Sequence, residues 1–348
     1  MRDIVTLLVI IGLAGAACGT RKKLNDSVRE TVLQPSERGS FNGSILVARG
    51  SRILVQQHYG FVDLQRSAPI SEHSRFNIGS AAKEVAGFAV LHLIREGKIR
   101  YSDPVSRFLP DLPAWADRVS VQDLIFYRSG LPNLNFYTST SDANTLRDLR
   151  QIEHLLFEPG SDYLYSNLNN FLQAQIVASV TGVDYQRWVE KHFFEPLRMD
   201  GALFAGNPPG DIPNLTKAYS ARYGDDILDN PQYKHFDLCY APIYMTPADL
   251  FKWISYVQEV YEKGGAGIAE FFRETSLDGQ GALGVIRPDE DGSLLHEHGG
   301  YAYSFGTLIH RQYRDGLTVI TMTNSDGPAE LKDLTDSILA TVKTQLRR

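Results

Sequence analysis

The sequence predicts a mixed α/β (α+β) fold in which both ends of the chain contribute strands to one sheet and a mainly helical section lies between them. Two strand-like runs near the start, residues 44–48 and 53–58, are separated by a short connection and are typical of a β-hairpin. The other end shows more strand-like runs and then a closing helix: 282–286, 301–310, 317–323 and 330–346. We therefore expect a central antiparallel sheet flanked by helices, with a helical insertion over about residues 100–270.

Helical periodicity dominates the middle of the chain. Residues 81–96 place apolar side chains on one face, and Gly97 follows where a helix can end in a left-handed residue. A short apolar run, Val121–Phe126, precedes the turn sequence Ser129-Gly130-Leu131-Pro132. Further segments with a helical pattern are 170–180, 184–194 and 247–261.

The bulk properties exclude several classes of protein. The chain has 348 residues, of which 43% are hydrophobic and 22% charged, so it can bury a large core and is neither disordered nor collagen-like. Its net charge is -6 and its sequence pI about 5.9, and no basic stripe stands out. These values argue against a general nucleic-acid binder.

The N-terminus is typical of a targeting segment. The predicted signal peptide, residues 1–17, contains the apolar run Ile4–Leu13, which is too short to span a bilayer comfortably. Small residues then precede Cys18, which resembles a bacterial lipoprotein signal whose cysteine is acylated. A plain secretory signal and a retained membrane helix are the alternatives. We expect residues 18–38 to form a lipid-anchored linker or first helix, and residues 39–348 to form the folded domain, exported to the periplasmic face of the cell envelope.

The sequence gives little sign of a disulfide, a metal or a cofactor. Its two cysteines are Cys18 and Cys239, so an acylated Cys18 leaves Cys239 without a disulfide partner. His296-Glu297-His298 could supply two metal ligands, but no third ligand is evident from the spacing. We therefore predict neither a metal nor a cofactor.

A serine and a lysine stand at the start of the helix predicted over residues 81–96. The run is Ile78-Gly79-Ser80-Ala81-Ala82-Lys83, and it holds the one Ser-x-x-Lys of the chain. Backbone N–H groups at a helix N-terminus stabilise an oxyanion, and this spacing puts both side chains on one helix face. A desolvated lysine can take the serine proton. A helix N-cap is the simpler alternative for Ser80.

Two other sequences supply polar groups of the same kind. Tyr165-Ser166-Asn167 is the single Tyr-x-Asn of the chain. A tyrosine near a lysine can relay protons, and an asparagine can bind an amide edge. His298-Gly299-Gly300 precedes a strand-like run, where paired glycines let a ligand backbone approach closely. The structural alternatives are a packing tyrosine, a capping asparagine and a Gly-Gly turn between strands.

In this order, the Ser-x-x-Lys, Tyr-x-Asn and His-Gly-Gly sequences resemble those of the serine β-lactamase and penicillin-binding-protein-like hydrolases. The branch that matches best contains class C β-lactamases, D-alanyl-D-alanine carboxypeptidases, D-aminopeptidases and related esterases. The resemblance extends from about Phe41 to Thr341 and includes the run Phe194-Glu195-Pro196-Leu197. It implies a β-lactamase/transpeptidase-like fold.

The resemblance also implies a catalytic role for each matched residue. Ser80 would be the acylated nucleophile, and Lys83 would hold it and help to deprotonate it. Tyr165 would act as general base and later activate the hydrolytic water. The backbone N–H groups of Ser80 and Tyr301 would form the oxyanion hole.

Substrate binding would fall to Asn167 and to His298, Gly299 and Gly300. Class C β-lactamases usually carry Lys-Thr-Gly where this chain has His-Gly-Gly, and a largely neutral histidine attracts a substrate carboxylate less than a lysine does. This favours a peptidase, amidase or esterase with a small-molecule or peptide substrate over an efficient β-lactamase. The alternative is a sensor on the same fold that binds peptidoglycan or penicillin with little turnover.

Overall fold

The computed structural model describes residues 21–33, 35–36, 41–133, 141–205, 212–220, 225–226, 242–273, 275, 279–302, 304–325 and 328–346. The predicted signal peptide, the acylation candidate Cys18 and the second cysteine, Cys239, lie outside the described residues.

Strands from both ends of the chain form one antiparallel sheet, which confirms the predicted fold class. In chain order the strands are β1 (Gly43–Arg49), β2 (Arg52–Tyr59), β3 (Phe76–Asn77), β4 (Leu203–Phe204), β5 (Tyr219–Ser220), β6 (Asp225–Asp226), β7 (Ile243–Met245), β8 (Val285–Pro288), β9 (Leu294–Ala302), β10 (Phe305–Gln312) and β11 (Thr318–Thr323). The large sheet has six strands in the order β2-β1-β11-β10-β9-β8. Shorter strands form a three-stranded sheet, β3-β7-β4, and the pair β5-β6.

Most of the described helices lie between the two halves of the sheet in chain order. In chain order they are α1 (residues 21–33), α2 (Ala82–Arg95), α3 (Val121–Ile125), α4 (Asp142–Arg150), α5 (Asn167–Thr181), α6 (Tyr185–Val189), α7 (Pro247–Lys263), α8 (Ile268–Phe271) and α9 (Pro328–Leu346). The helix predicted over residues 184–194 is α6 followed by a π-helical turn, Glu190–Phe194. Within the described ranges, no helix is both long and apolar enough to cross a bilayer.

Strand β1 separates two apolar cores. Leu46 and Ala48 belong to the larger core, which the helices of the middle section share. Ile45 and Val47 belong to a smaller core, which α1 and α9 cover. Because successive side chains of a strand point to opposite faces, one strand supplies both cores. All four side chains are 0% exposed, so the strand reads as a continuous apolar run.

The prediction of one strand over residues 301–310 is wrong, because this stretch contains the turn of a hairpin. Strand β9 ends at Ala302, β10 begins at Phe305, and these two residues pair with each other. The strand-like composition continues through the turn, so the sequence pattern gives no sign of the reversal. The sequence His298-Gly299-Gly300 therefore lies inside β9 rather than in a turn between strands.

Candidate active site

Ser80 lies in a single 3₁₀ turn, Gly79–Ala81, that leads directly into α2. The turn begins with Gly79 at φ 54°, a left-handed conformation that glycine adopts without strain. The backbone N–H of Gly79 donates to Oδ1 of Asn77 at 2.9 Å, and that of Ile78 donates to a carbonyl of β7 at 3.0 Å. Ser80 therefore stands at the N-terminal end of a helix, where the sequence predicts it.

Lys83 contacts the hydroxyl of Ser80. Its Nζ lies 2.8 Å from Oγ, and the residue is only 4% exposed. The spacing of three residues brings the two side chains to the same side of the turn. A proton can pass between an amine and a hydroxyl at this distance, which is the transfer that activates a serine nucleophile.

Short hydrogen bonds hold the Tyr165-Ser166-Asn167 segment in place. Ser166 is the N-cap of α5, and its hydroxyl donates to the carbonyl of Pro132 at 2.6 Å. The hydroxyl of Ser129 donates to Oδ1 of Asn169 at 2.6 Å, and Nδ2 of Asn169 donates to the carbonyl of Ser166 at 3.0 Å. The turn from Ser129 to Pro132 is thereby tied to the start of α5.

Tyr165 lies beside the lysine. The Nζ atom of Lys83 is 5.2 Å from the centroid of the tyrosine ring, within the range of a cation–π contact. On its other side Tyr165 packs against Tyr127, with ring centroids 5.0 Å apart. Tyr127 has φ 53° and is 1% exposed, so dense packing holds a backbone conformation that is costly for an aromatic residue. Asn167, the first residue of α5, is half-buried.

Strand β9 runs against the turn that carries Ser80. A Cβ atom at Gly300 would lie 1.9 Å from the carbonyl oxygen of Ile78, and one at Gly79 would lie 2.5 Å from the backbone nitrogen of Tyr301. The approach is therefore close enough to require glycine on both sides. The two backbones predicted to form the oxyanion hole are in contact, and that role stays a prediction.

His298 lies on the face of β9 that packs against α2. Its Nδ1 is 2.7 Å from Oε1 of Glu84, and the residue is 3% exposed. Gly284 leaves room for the imidazole, because a Cβ atom there would lie 2.6 Å from Cγ of His298. Nδ1 of His298 is thus hydrogen-bonded within the protein, and substrate binding through Nε2 stays a prediction. Gly299 faces the opposite way, towards Leu308.

Glu84 is a residue of this site that the sequence reasoning missed. It is 0% exposed, and its carboxylate accepts hydrogen bonds from Nε2 of His296 at 2.8 Å and from Nε1 of Trp253 at 2.9 Å. Burial by itself raises the pKa of this carboxyl, but the charges and hydrogen bonds of His296 and His298 lower it to about 2. A signal was available: Glu84 lies one turn before Phe88 on the apolar face of α2, where a charged residue needs a buried partner.

Glu84 also supplies the third ligand-type atom that the spacing of His296 and His298 does not reveal. The three atoms lie within 4.8 Å of one another. The carboxylate oxygen is 2.8 Å and 2.7 Å from the two ring nitrogens, whereas ligands of one tetrahedral zinc ion lie roughly 3.3 Å apart. These distances are those of hydrogen bonds, and we therefore describe Glu84, His296 and His298 as a hydrogen-bonded cluster.

The six-stranded sheet, the helical section and the placement of Ser80 at the start of α2 define the β-lactamase/transpeptidase-like class of folds. A family model described as Beta-lactamase matches residues 13–343, and the chain belongs to this family.

Known relatives agree with this assignment. Penicillin-binding protein 4* of Bacillus subtilis (strain 168) is 25% identical over 223 residues, which cover 62% of this chain and 46% of that protein. The chain thus matches about half the length of this curated relative.

Two solved structures share the fold. A class C β-lactamase superposes with a TM-score of 0.74 at 19% identity and covers 91% of this chain and 96% of its own. The D-amino acid amidase of Ochrobactrum anthropi SV3 superposes with a TM-score of 0.74 at 19% identity and covers 93% of this chain and 99% of its own. At this identity the likeness concerns the fold alone.

Proposed function

We propose that this chain is a cell-envelope serine hydrolase that cleaves amide or ester bonds through an acyl-enzyme on Ser80. The observation that carries the proposal is the 2.8 Å contact between Nζ of the buried Lys83 and Oγ of Ser80, next to the ring of Tyr165. A serine with an amine in hydrogen-bond reach is an arrangement suited to acyl transfer. Membership of the Beta-lactamase family supports a hydrolase in general.

In the proposed reaction, Lys83 and Tyr165 take up the proton of Ser80 as Oγ attacks the carbonyl carbon. The backbone N–H groups of Ser80 and Tyr301 stabilise the oxyanion, and losing one such donor typically costs roughly 3–4 kcal/mol of transition-state stabilisation. The C–N or C–O bond then breaks, the leaving group takes the proton, and Ser80 remains esterified. Tyr165 deprotonates a water molecule that hydrolyses this ester.

The proposed substrates are D-alanyl peptides, D-aminoacyl amides or peptides, and short esters. Asn167 binds the amide side of the substrate in this proposal, and His298 with the two glycines after it lines the opposite side. The shared fold with a D-amino acid amidase supports amide substrates. The histidine in place of a lysine makes a β-lactam, with its anionic carboxylate, a less favoured substrate.

We further propose that Cys18 is acylated and holds the domain at the periplasmic face of the envelope. Residue 21 is the first residue of α1 that the structure describes, so a lipid at Cys18 would keep this helix within a few residues of the bilayer surface. Metabolic labelling with palmitate tests this, because the wild type should incorporate label and Cys18→Ser should not. Equal labelling of both proteins would contradict acylation at Cys18.

Labelling with a fluorescent fluorophosphonate tests the nucleophile. We expect rapid labelling of the wild type, none of Ser80→Ala, and labelling slower by on the order of a hundredfold for Lys83→Ala and Tyr165→Phe. Lys98→Ala is a matched control, since this lysine is exposed and pairs with Glu96. Undiminished labelling of Ser80→Ala would sink the proposed mechanism.

A substrate panel then separates turnover from binding. D-amino-acid peptides, D-aminoacyl amides, short-chain esters and a chromogenic cephalosporin would be tested with the purified protein. Steady turnover of an amide or ester supports the hydrolase. A single burst of acylation with no further turnover on every compound would favour the alternative, a penicillin or peptidoglycan sensor.

A further inference from the structure

The residue after Lys83 is a buried glutamate, Glu84, and no step of the proposed reaction uses its carboxylate. Glu84 follows Lys83 in α2, but Lys83 reaches Ser80 whereas Glu84 reaches β9. The residue is 0% exposed. An ionised group at this depth costs several kcal/mol unless hydrogen bonds replace its water.

Three N–H groups replace that water. Nδ1 of His298 lies 2.7 Å and Nε2 of His296 lies 2.8 Å from Oε1 of Glu84. Nε1 of Trp253 donates to Oε2 at 2.9 Å. The histidines belong to β9 and the tryptophan to α7, so a single carboxylate joins α2 to both elements.

The ionised carboxylate decides where the histidine protons are. A carboxylate only accepts hydrogen bonds, so His298 must carry a proton on Nδ1 and His296 must carry one on Nε2. Nδ1 of His296 is fully buried without a hydrogen-bond partner among the described residues, and the His298 side chain is 1% exposed. Glu84 engages Nδ1 of His298, so Nε2 is the nitrogen of that ring which has no bond to the carboxylate.

The cluster adjoins the reacting groups on both sides. Gly300, two residues after His298, touches the turn of Ser80, and Tyr301 follows it with the N–H predicted for the oxyanion hole. On the other side, Glu84 is the neighbour of Lys83 in α2. Glu84 therefore joins α2, which follows directly from the turn of Ser80, to β9, which carries the predicted oxyanion donor.

We propose that Glu84 is a positioning residue of this hydrolase: it fixes a proton of His298 on Nδ1 and holds β9 against α2, so that Nε2 of His298 is left for the substrate. The effect on catalysis rests on the proposed function. The position of the ring proton does not, because it follows from the contacts of Glu84 alone.

The substitution Glu84→Gln tests the proposal with little change of shape. The indole N–H of Trp253 can only donate, so it selects the orientation in which the glutamine oxygen faces Trp253 and the amide NH₂ faces the histidines. An NH₂ group donates, and His298 must then accept through Nδ1. Its ring proton should therefore move to Nε2.

Long-range ¹H–¹⁵N correlation spectra of histidine-labelled protein report the protonated nitrogen, and His298→Gln identifies the signal. We expect His298 to be protonated on Nδ1 in the wild type and on Nε2 in Glu84→Gln. We also expect fluorophosphonate labelling of Ser80 to slow at least roughly tenfold in Glu84→Gln, as a wrong tautomer slows other serine hydrolases. With a turned-over substrate, the loss should fall on kcat more than on KM.

Glu297→Gln is the matched control. Glu297 is in β9, the strand of His298, and like Glu84 it accepts a hydrogen bond from a histidine, Nδ1 of His310 at 3.0 Å. Because successive residues of a strand alternate, it lies on the face opposite to His296 and His298. The control removes the same charge from a glutamate that accepts a hydrogen bond from a different histidine, and it should leave both the His298 signal and the labelling rate unchanged.

A wild-type His298 protonated on Nε2 alone would overturn the proposal, and so would a Glu84→Gln protein with wild-type labelling and an unchanged His298 signal. The wild-type spectrum decides the proton position even if the variant does not fold. Should Ser80 fail to label in the wild type, the proposed function is wrong, while the spectra still test the Glu84–His298 contact. The two failures are therefore distinguishable.

Discussion

Acid should remove a defined part of the stability of this protein by protonating Glu84. The contacts with the two histidines lower the pKa of Glu84 from an ordinary 4.5 to about 2 in the folded chain. The gap between these values corresponds to on the order of 3 kcal/mol of unfolding free energy. Because the folded-state pKa is the lower one, this contribution is fully present above about pH 5 and is lost as the pH falls towards 2.

The measurement compares the wild type with Glu84→Gln. Urea denaturation, followed by circular dichroism, gives the unfolding free energy of each protein at steps between pH 7 and pH 2.5. The variant has no carboxyl at this position, so below about pH 5 the difference between the two proteins reports the linkage of Glu84 with its histidine partners. We expect that difference to shrink by about 1.4 kcal/mol for each pH unit as the pH falls from about 4.5 to 2.5.

A difference that stays constant down to pH 2.5, or that grows as the pH falls, would refute this reasoning. Glu72→Gln is a suitable control. Glu72 is largely exposed, with 68% of its side-chain area accessible, and its ion pair is with His73, which is also exposed. Removing this carboxylate should change the unfolding free energy by less than about 0.5 kcal/mol across the same range.

Three further predictions concern the backbone around the nucleophile. Gly300→Ala should lower Tm by several degrees more than Gly299→Ala in scanning calorimetry. A Cβ atom at residue 300 would lie 1.9 Å from a carbonyl oxygen, whereas one at residue 299 would lie 3.3 Å from a side-chain carbon. Equal shifts in Tm would contradict the close approach of the two backbones. Ser166→Ala should lower the unfolding free energy by about 1–2 kcal/mol, since it removes the N-cap of α5 and a hydrogen bond to a carbonyl; an unchanged urea midpoint would argue against that capping role. Asn77→Ala should slow fluorophosphonate labelling several-fold, because Oδ1 of Asn77 holds the N–H of Gly79; an unaltered rate would show that this bond does not position the turn.

The parts of the fold and site that could be predicted from the sequence are those with a local cause. The β1–β2 hairpin follows from two strand-like runs with a short connection, and α2 from its apolar period. The contact between Ser80 and Lys83 follows from a spacing of three residues at a helix start. Local patterns failed where two strands of similar composition run into each other, as between Ala302 and Phe305.

The sequence by itself therefore determined the fold class, the place of Ser80 at the start of a helix and its lysine partner, because each depends on residues close together in the chain. Only the tertiary structure decided that Glu84 would meet His296 and His298, which lie 212 and 214 residues away. It also decided that Gly300 would press against the turn of Ser80. Such contacts depend on how the sheet packs against α2, and that packing is set by the whole core rather than by any short period in the sequence.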